Sequence, residues 1–206
     1  LSISISNGNV HALIEIIDKG FRINYKSSFE WLCKCGFYRM SQIILNISKK
    51  DSINNVDIRY SVFYDNLSIF KLCLELSEKK KNLEKSLFLS IKKESFNITK
   101  YILENHLIEI TNNIIRFCLY ICAIYGSVDV FNYLLSKYDQ ASDPNYMNTL
   151  IYILNDACLY SLNEIIKIII DLIIINSTNY RIDLSEAFIN SAKSRRKEIC
   201  KYIFNK

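Results

Sequence analysis

Glycine and proline are scarce in this chain of 206 residues, which contains four glycines and one proline. All-β folds need many turn residues, so this scarcity excludes a sheet protein with many tight turns and favours helices joined by short connections. Half of the residues are hydrophobic, which excludes a disordered chain. The length and the apolar content together suit one sizeable core or one array of repeats.

Long uninterrupted apolar runs are also missing. The longest, IIKIIIDLIII at 165–175, is broken by Lys167 and Asp171. It falls short of the roughly 20 apolar residues that span a bilayer, so it predicts a buried helix and no membrane segment. Because the sequence begins at Leu1 rather than Met, we expect it to be a fragment of a longer protein.

The seven cysteines lack the dense spacing of a secreted disulfide scaffold, which favours a reducing interior. Cys33 and Cys35 have no second Cys or His pair to complete a tetrahedral zinc site, so we predict no metal. We expect buried free thiols at Cys33, Cys73, Cys122, Cys158 and Cys200, because cysteine packs as a small hydrophobe. The two histidines, His11 and His106, lie too far apart to form a catalytic pair.

The stretch 123–138, AIYGSVDVFNYLLSKY, contains a pattern that recurs along the chain. Its anchor is Val130, the first apolar residue after GSVD, and equivalent anchors follow one another at intervals of 28 to 35 residues. A period near 30 residues indicates stacked supersecondary units. The seven anchors are Ala12, Met40, Ile69, Ile98, Val130, Ile165 and Ile199.

Three further columns of the alignment are apolar in all seven repeats, at 11 residues before the anchor and at four and five residues after it. A fourth column, eight residues before the anchor, is small in six of the seven repeats. This pattern predicts a short first helix and a longer second helix per repeat, with an apolar stripe that only stacking can bury. Gly8, Gly36 and Gly126 fall in the turn between the two helices, and Gly20 ends the second helix of the first repeat. No glycine is left for a phosphate-binding loop.

These repeats resemble those of ankyrin-repeat proteins. The segment 123–138 matches the AxxGHxxIVxxLL core of that family, and LSISISNGNVHALIEIIDKGFRIN at 1–24 matches its spacing from the first helix to the exit. The TPLH signature is absent and the early repeats are short, so the resemblance implies shortened or absent β-hairpin fingers. We therefore predict an all-α, ankyrin-type α-solenoid of about seven helix-turn-helix repeats, with a different α-solenoid as the alternative. The predicted repeats of this single array are 1–25, 26–54, 55–83, 84–115, 116–150, 151–184 and 185–206.

The resemblance also implies where partners bind. Ankyrin arrays use a concave face that includes the two residues before the turn glycine. Here those positions contain an aromatic stripe of Phe63, Tyr64, Tyr125 and Tyr160 between basic ends, although the same aromatics could equally pack against neighbouring repeats. The predicted partner-binding residues are Lys34, Phe63, Tyr64, Lys92, Lys93, Ile124, Tyr125, Leu159, Tyr160 and Lys193.

The function implied is a non-catalytic scaffold or adaptor for a protein partner, with lysines that suit an acidic one. The first alternative is nucleic-acid binding through Arg195, Arg196 and Lys197, although a net charge of +5 is modest for that role. The second is a substrate adaptor for a ubiquitin-ligase-type enzyme whose other domain is missing here. We expect no cofactor and an intracellular, cytoplasmic location. Similar divergent arrays occur in large DNA viruses and protists, and for a viral protein the location would be the host cytoplasm.

Overall fold

The computed structural model describes residues 7–21, 23–47, 55–76, 83–105, 107–138, 143–160, 163–176 and 183–206, with side chains from 58 onward in the third range. Within these ranges there are thirteen helices and no strand. They are α1 (Val10–Asp18), α2 (Tyr25–Cys35), α3 (Tyr38–Ile47), α4 (Asn55–Phe63), α5 (Leu67–Leu76), α6 (Leu83–Lys92), α7 (Phe96–Glu104), α8 (Asn112–Tyr125), α9 (Val128–Lys137), α10 (Tyr146–Tyr160), α11 (Asn163–Asn176), α12 (Ser185–Lys193) and α13 (Lys197–Phe204).

The helices follow the predicted repeats. Helix α1 is the second helix of the first repeat, whose predicted first helix lies outside the described residues, and the other twelve helices form six consecutive pairs. The chain divides into unit 1 (Leu1–Ile108) and unit 2 (Glu109–Lys206). Within each unit, first helices pack on first helices and second helices on second helices, so each unit has two layers. The boundaries of the individual repeats and their union in a single array stay a prediction.

The alignment columns form the cores of both units. Six of the seven anchors are buried, from Met40 to Ile199, and Ala12 is half-buried. The small column lies where first helices meet, and Ser61, Ser90 and Ser191 are all fully buried there. Ser90 Oγ donates to the Leu87 carbonyl at 2.7 Å and lies 2.7 Å from Thr99 Oγ1, so a polar atom is accommodated in the core by local hydrogen bonds.

The turn between paired helices has one recurring geometry. The residue four positions before the anchor has a left-handed backbone in every repeat where it is described. In five repeats the backbone N–H of the next residue, from Phe37 to Arg196, donates to the carbonyl of the residue eight positions before the anchor. This is a helix C-cap of the Schellman type, which glycine favours. The sequence predicted it at Gly8, Gly36 and Gly126. The structure adds three non-glycine residues in the same conformation, namely Asp65 (φ 48°), Glu94 (φ 58°) and Arg195 (φ 58°).

Adjacent repeats of unit 1 are tied together at these turns. The carboxylate of Asp65 accepts hydrogen bonds from the Ile98 backbone N–H at 3.1 Å and from Asn97 Nδ2 at 2.9 Å, which caps the N-terminus of α7 in the next repeat. The buried Ser95 hydroxyl donates back to the Val62 carbonyl at 2.5 Å. The turns therefore hold successive first-helix ends, and the side chains on them, at a fixed spacing.

Candidate partner-binding surfaces

The predicted binding residues of unit 1 lie at the ends of the first helices, directly before the left-handed turns. Lys34, Lys92 and Lys93 are exposed, Phe63 is 48% exposed and Tyr64 is half-buried. Lys93 Nζ lies 4.3 Å from the centroid of the Phe63 ring, and the rings of Phe63 and Tyr64 meet edge to face at 5.1 Å. Three predicted residues from two repeats are thus brought together as one cationic and aromatic cluster.

A residue that the sequence analysis missed belongs to the same surface. Trp31 is the only tryptophan of the chain, it is exposed, and the ammonium group of Lys34 lies 5.2 Å from the centroid of its ring. The spacing of Trp31 and Lys34 indicates this contact, because residues three apart on a helix are neighbours on its surface. The described first helices of unit 1 and their ends therefore present two lysine–aromatic pairs, Lys34 with Trp31 and Lys93 with Phe63.

In unit 2 the predicted residues differ in exposure. Tyr125 and Tyr160 are 45% and 66% exposed and Lys193 is exposed, whereas Ile124 and Leu159 are half-buried. The two tyrosines present a large part of their side chains at the surface. The two aliphatic side chains offer less free surface.

The most developed aromatic cluster of unit 2 was not predicted. The ring of Phe117 stacks on that of Tyr120 at 6.3 Å, and Tyr120 stacks on Tyr152 of the next repeat at 5.7 Å, with interplanar angles of 23° and 26°. Phe117 and Tyr152 occupy the same alignment position, 13 residues before the anchor, and are 47% and 61% exposed. We call Phe117, Tyr120 and Tyr152 the aromatic ladder. The sequence contained a signal for this cluster. Phe117 and Tyr152 lie seven residues, about two helical turns, before Ile124 and Leu159 and therefore share their helix face.

Burial raises the pKa of Tyr120 to about 12, with smaller contributions from the carboxylate of Asp156 and from Tyr152. The Tyr120 hydroxyl is therefore protonated at neutral pH and remains a hydrogen-bond donor.

A groove of about 480 Å³ runs along the ladder between α8 and α10. Its described lining includes Arg116, Asn145, Asn148 and Thr149 beside the aromatic rings. Aromatic faces with a few amides and hydroxyls are the composition that protein-binding surfaces favour. The arrangement can hold an apolar side chain of a partner against the rings while the amides pair with its backbone.

The guanidinium group of Arg116, beside this groove, is neutralised by the buried carboxylate of Asp143. Arg116 Nε lies 3.0 Å from Asp143 Oδ2, whose side chain is only 1% exposed, and the Tyr138 hydroxyl donates to the same carboxylate oxygen. The hydrogen bond from Tyr138 holds the pKa of Asp143 below its ordinary value, with help from the Asn145 backbone N–H and Arg116, while burial acts in the opposite direction. Burial and the Asp143 carboxylate raise the pKa of Tyr138. The groove is therefore close to neutral, unlike the lysine-bearing surface of unit 1.

The predicted basic cluster of Arg195, Arg196 and Lys197 is partly engaged in contacts between repeats. Arg195 is exposed in its left-handed turn, and Lys197 is exposed at the start of α13. Arg196 is half-buried, and its Nη1 donates to Asn163 Oδ1 of the preceding repeat at 3.0 Å. One of the three predicted cations thus joins two repeats.

The chemistry of the thiols follows their burial. None of the seven cysteines forms a disulfide; Cys33, Cys73, Cys122 and Cys158 are buried as predicted and Cys200 is half-buried. Burial raises the pKa of Cys118 to about 12 and that of Cys122 well above its ordinary value, so both stay protonated.

His11 is exposed, and His106 lies outside the described residues. Among the described side chains, no three His, Cys, Asp or Glu residues are grouped as metal ligands. No described helix is long and apolar enough to span a membrane.

Helix pairs stacked in two layers, a left-handed turn at a fixed position in each repeat, and exposed side chains on the first helices define a helical repeat protein of the ankyrin type. The chain is similar to the crystal structure of the human ASB11 ankyrin repeat domain, with a TM-score of 0.59 and 17% sequence identity over 90% of this chain and 88% of that chain. This likeness confirms the predicted ankyrin-type, all-α fold. No protein-family model matches the sequence, and no curated protein matches it.

Proposed function

We propose that this chain is a non-catalytic interaction module that binds a protein partner through the exposed faces of its first helices. The observation that carries the proposal is the aromatic ladder, in which three rings from two repeats stack beside an open groove of about 480 Å³. Aromatic anchors in a partly enclosed groove are the features that dominate binding energy at protein interfaces.

Unit 1 supports the same proposal with a different chemistry. Lys34, Lys92 and Lys93 are exposed on first-helix ends, and two of them lie over aromatic rings. An ammonium group held over a ring favours an acidic segment of the partner, because its position is already restricted before binding. The cysteines also lack the dense spacing of a secreted disulfide scaffold, and we propose a reducing, cytoplasmic location on that ground.

The test is affinity capture from the native cell with and without nuclease, followed by binding measurements with the purified partner. Phe117→Ala combined with Tyr152→Ala is expected to weaken binding by about 10-fold or more, because each removes an exposed anchor. Phe21→Ala is the control, since Phe21 is 63% exposed and lies on the loop after α1 in unit 1, whereas the aromatic ladder lies in unit 2. Tyr125→Ala with Tyr160→Ala, and replacement of Lys34, Lys92 and Lys93, map the remaining predicted residues.

Circular dichroism and thermal unfolding establish that each variant is folded. Unchanged affinity in both aromatic double variants would refute the proposed surfaces. Loss of all bound material on nuclease treatment would instead support nucleic acid, and binding would then fall steeply with salt and on removal of charge at Arg195 and Lys197. Recovery of a ligase component would support the adaptor role for a ubiquitin-ligase-type enzyme.

A further inference from the structure

The first helix of the sixth repeat, α10, places a carboxylate between two exposed tyrosine rings. Tyr152, Asp156 and Tyr160 follow one another at four-residue intervals, so their side chains form a row along one side of that helix. The two tyrosines are 61% and 66% exposed, and Asp156 is half-buried. Among the ion pairs of the described residues, none includes Asp156. We call Tyr152, Asp156 and Tyr160 the tyrosine–aspartate row.

The row adjoins the aromatic ladder. Tyr152 belongs to both, and its ring stacks on that of Tyr120 at 5.7 Å. Burial and then the Asp156 carboxylate raise the pKa of Tyr120, so the carboxylate lies beside the middle ring of the ladder. Asn148 and Thr149 line the groove on the N-terminal side of Tyr152, and Asp156 lies one helical turn further along α10. An extended ligand that follows α10 therefore leaves a nearly neutral groove and meets a negative charge between aromatic rings.

A second carboxylate adds to the negative charge of this surface. Glu186 Oε2 accepts a hydrogen bond from Asn155 Nδ2 at 2.6 Å, and Asn155 directly precedes Asp156 in α10. Glu186 is exposed, and no cation from the described part of the chain forms an ion pair with it. Asp143 of the same unit, by contrast, has Arg116 at 3.0 Å as its counter-charge. The complement that the surface around Asp156 lacks is a positive charge.

We propose that the tyrosine–aspartate row binds an arginine side chain of the protein partner, whose guanidinium group stacks on the Tyr152 ring and pairs with the Asp156 carboxylate. The inference rests on the proposed function, since it names a residue of the partner that the first helices bind. A guanidinium group is planar, so it can lie flat on an aromatic ring and still direct two N–H groups at a carboxylate. The ammonium group of lysine is a compact, strongly hydrated charge without this geometry.

The test begins with random heptapeptides displayed on phage, selected in parallel against the purified chain, Asp156→Asn, and the double variant Phe117→Ala with Tyr152→Ala. We expect the natural chain to enrich peptides with arginine next to an apolar residue, and Asp156→Asn to lose the arginine enrichment. Asp129→Asn is the matched control, since Asp129 is an exposed aspartate of the same unit on the second helix α9. Circular dichroism verifies that each variant is folded.

The affinity of one selected peptide is then measured with arginine, citrulline or lysine at the same position. Citrulline has nearly the shape of arginine without its charge. We expect citrulline to weaken binding to the natural chain by about 10-fold or more, because the charged hydrogen bonds to Asp156 are lost. In Asp156→Asn the same replacement should have little effect, since the two changes remove one interaction. An equal effect of citrulline in both proteins, or equal affinities of the lysine and arginine peptides, would overturn the proposal.

The selection also separates this inference from the proposed function. Enriched peptides that lack arginine but are lost in the double variant of Phe117 and Tyr152 would refute the arginine site and leave the aromatic ladder as a binding surface. Peptides that the double variant enriches equally, or no enrichment by the natural chain, would refute both the arginine site and the ladder.

Discussion

Asp65 and Glu94 share a left-handed backbone at the same point of successive repeats, yet their side chains have different roles. The Asp65 carboxylate caps α7 through the Ile98 N–H and Asn97 Nδ2, whereas Glu94 is an exposed residue at its turn. A left-handed backbone costs a non-glycine residue roughly 1–2 kcal/mol. At Asp65 the inter-repeat hydrogen bonds offset that cost.

Glu94→Gly is expected to stabilise the fold by about 0.5–1 kcal/mol, since relief of the backbone strain exceeds the greater freedom of glycine in the unfolded chain. Asp65→Gly is the matched comparison, and it should give no gain or a loss because the cap of α7 disappears. The free energy of unfolding in urea measures both. Equal effects of the two substitutions would contradict the proposed role of the Asp65 carboxylate.

Helices α8 and α10 differ from the other first helices in length. They contain 14 and 15 residues, whereas α2, α4, α6 and α12 contain 9 to 11. The additional N-terminal turn of α10 contains Asn148 and Thr149, which line the groove beside Tyr152. Asp143, shortly before α10, lies beside Arg116 of α8 and accepts a hydrogen bond from Tyr138 at the end of α9. The carboxylate thus joins α8 and α9 to the start of α10, next to Phe117 of the aromatic ladder.

Asp143→Asn is expected to lower the melting temperature at neutral pH, because Tyr138 loses a charged hydrogen-bond acceptor and Arg116 loses its buried counter-charge. The pKa of Asp143 is held below its ordinary value of 3.8, so its carboxylate stabilises the folded state above that pH and loses this effect as the pH falls through the lowered value. The difference from the natural chain should therefore shrink on acidification. Thermal unfolding from neutral to acidic pH measures this, with Glu109→Gln, an exposed carboxylate of the same unit, as the control. A difference that does not vary with pH would contradict the assignment.

At the scale of the whole molecule, stability depends on the contact of each repeat with its neighbours. The same alignment position therefore contributes very different free energies of stabilisation in different repeats. Ile170 has a neighbour over it and is fully buried, whereas Phe204 is 83% exposed.

Ile170→Ala should destabilise the fold by about 2–5 kcal/mol through the lost burial and the cavity that remains. Phe204→Ala should change the stability by less than about 0.5 kcal/mol, because the side chain is largely exposed. Chemical unfolding of the two variants gives the comparison. A large loss from Phe204→Ala would mean that Phe204 is covered within the chain.

The repeat period, the four alignment columns and the glycine turns were all readable from the sequence. The structure confirms the helix pairs, because these features arise from helix periodicity and from the backbone freedom of glycine. The prediction of a longer second helix was wrong, since the first helix is the longer one in every described pair except α4 and α5. The same pattern placed exposed residues before the turns, among them Lys34, Phe63, Lys93 and Tyr160.

Only the tertiary structure decided which exposed residues meet. The ladder of Phe117, Tyr120 and Tyr152, the pairing of Lys93 with Phe63, and the use of Arg196 inside the fold all join residues of successive repeats. Such contacts depend on the stacking distance and rotation between repeats, which a one-dimensional pattern does not contain. The exposure of Phe188 and Phe204 has the same origin, because a residue that matches the core pattern is buried only where another repeat packs over it.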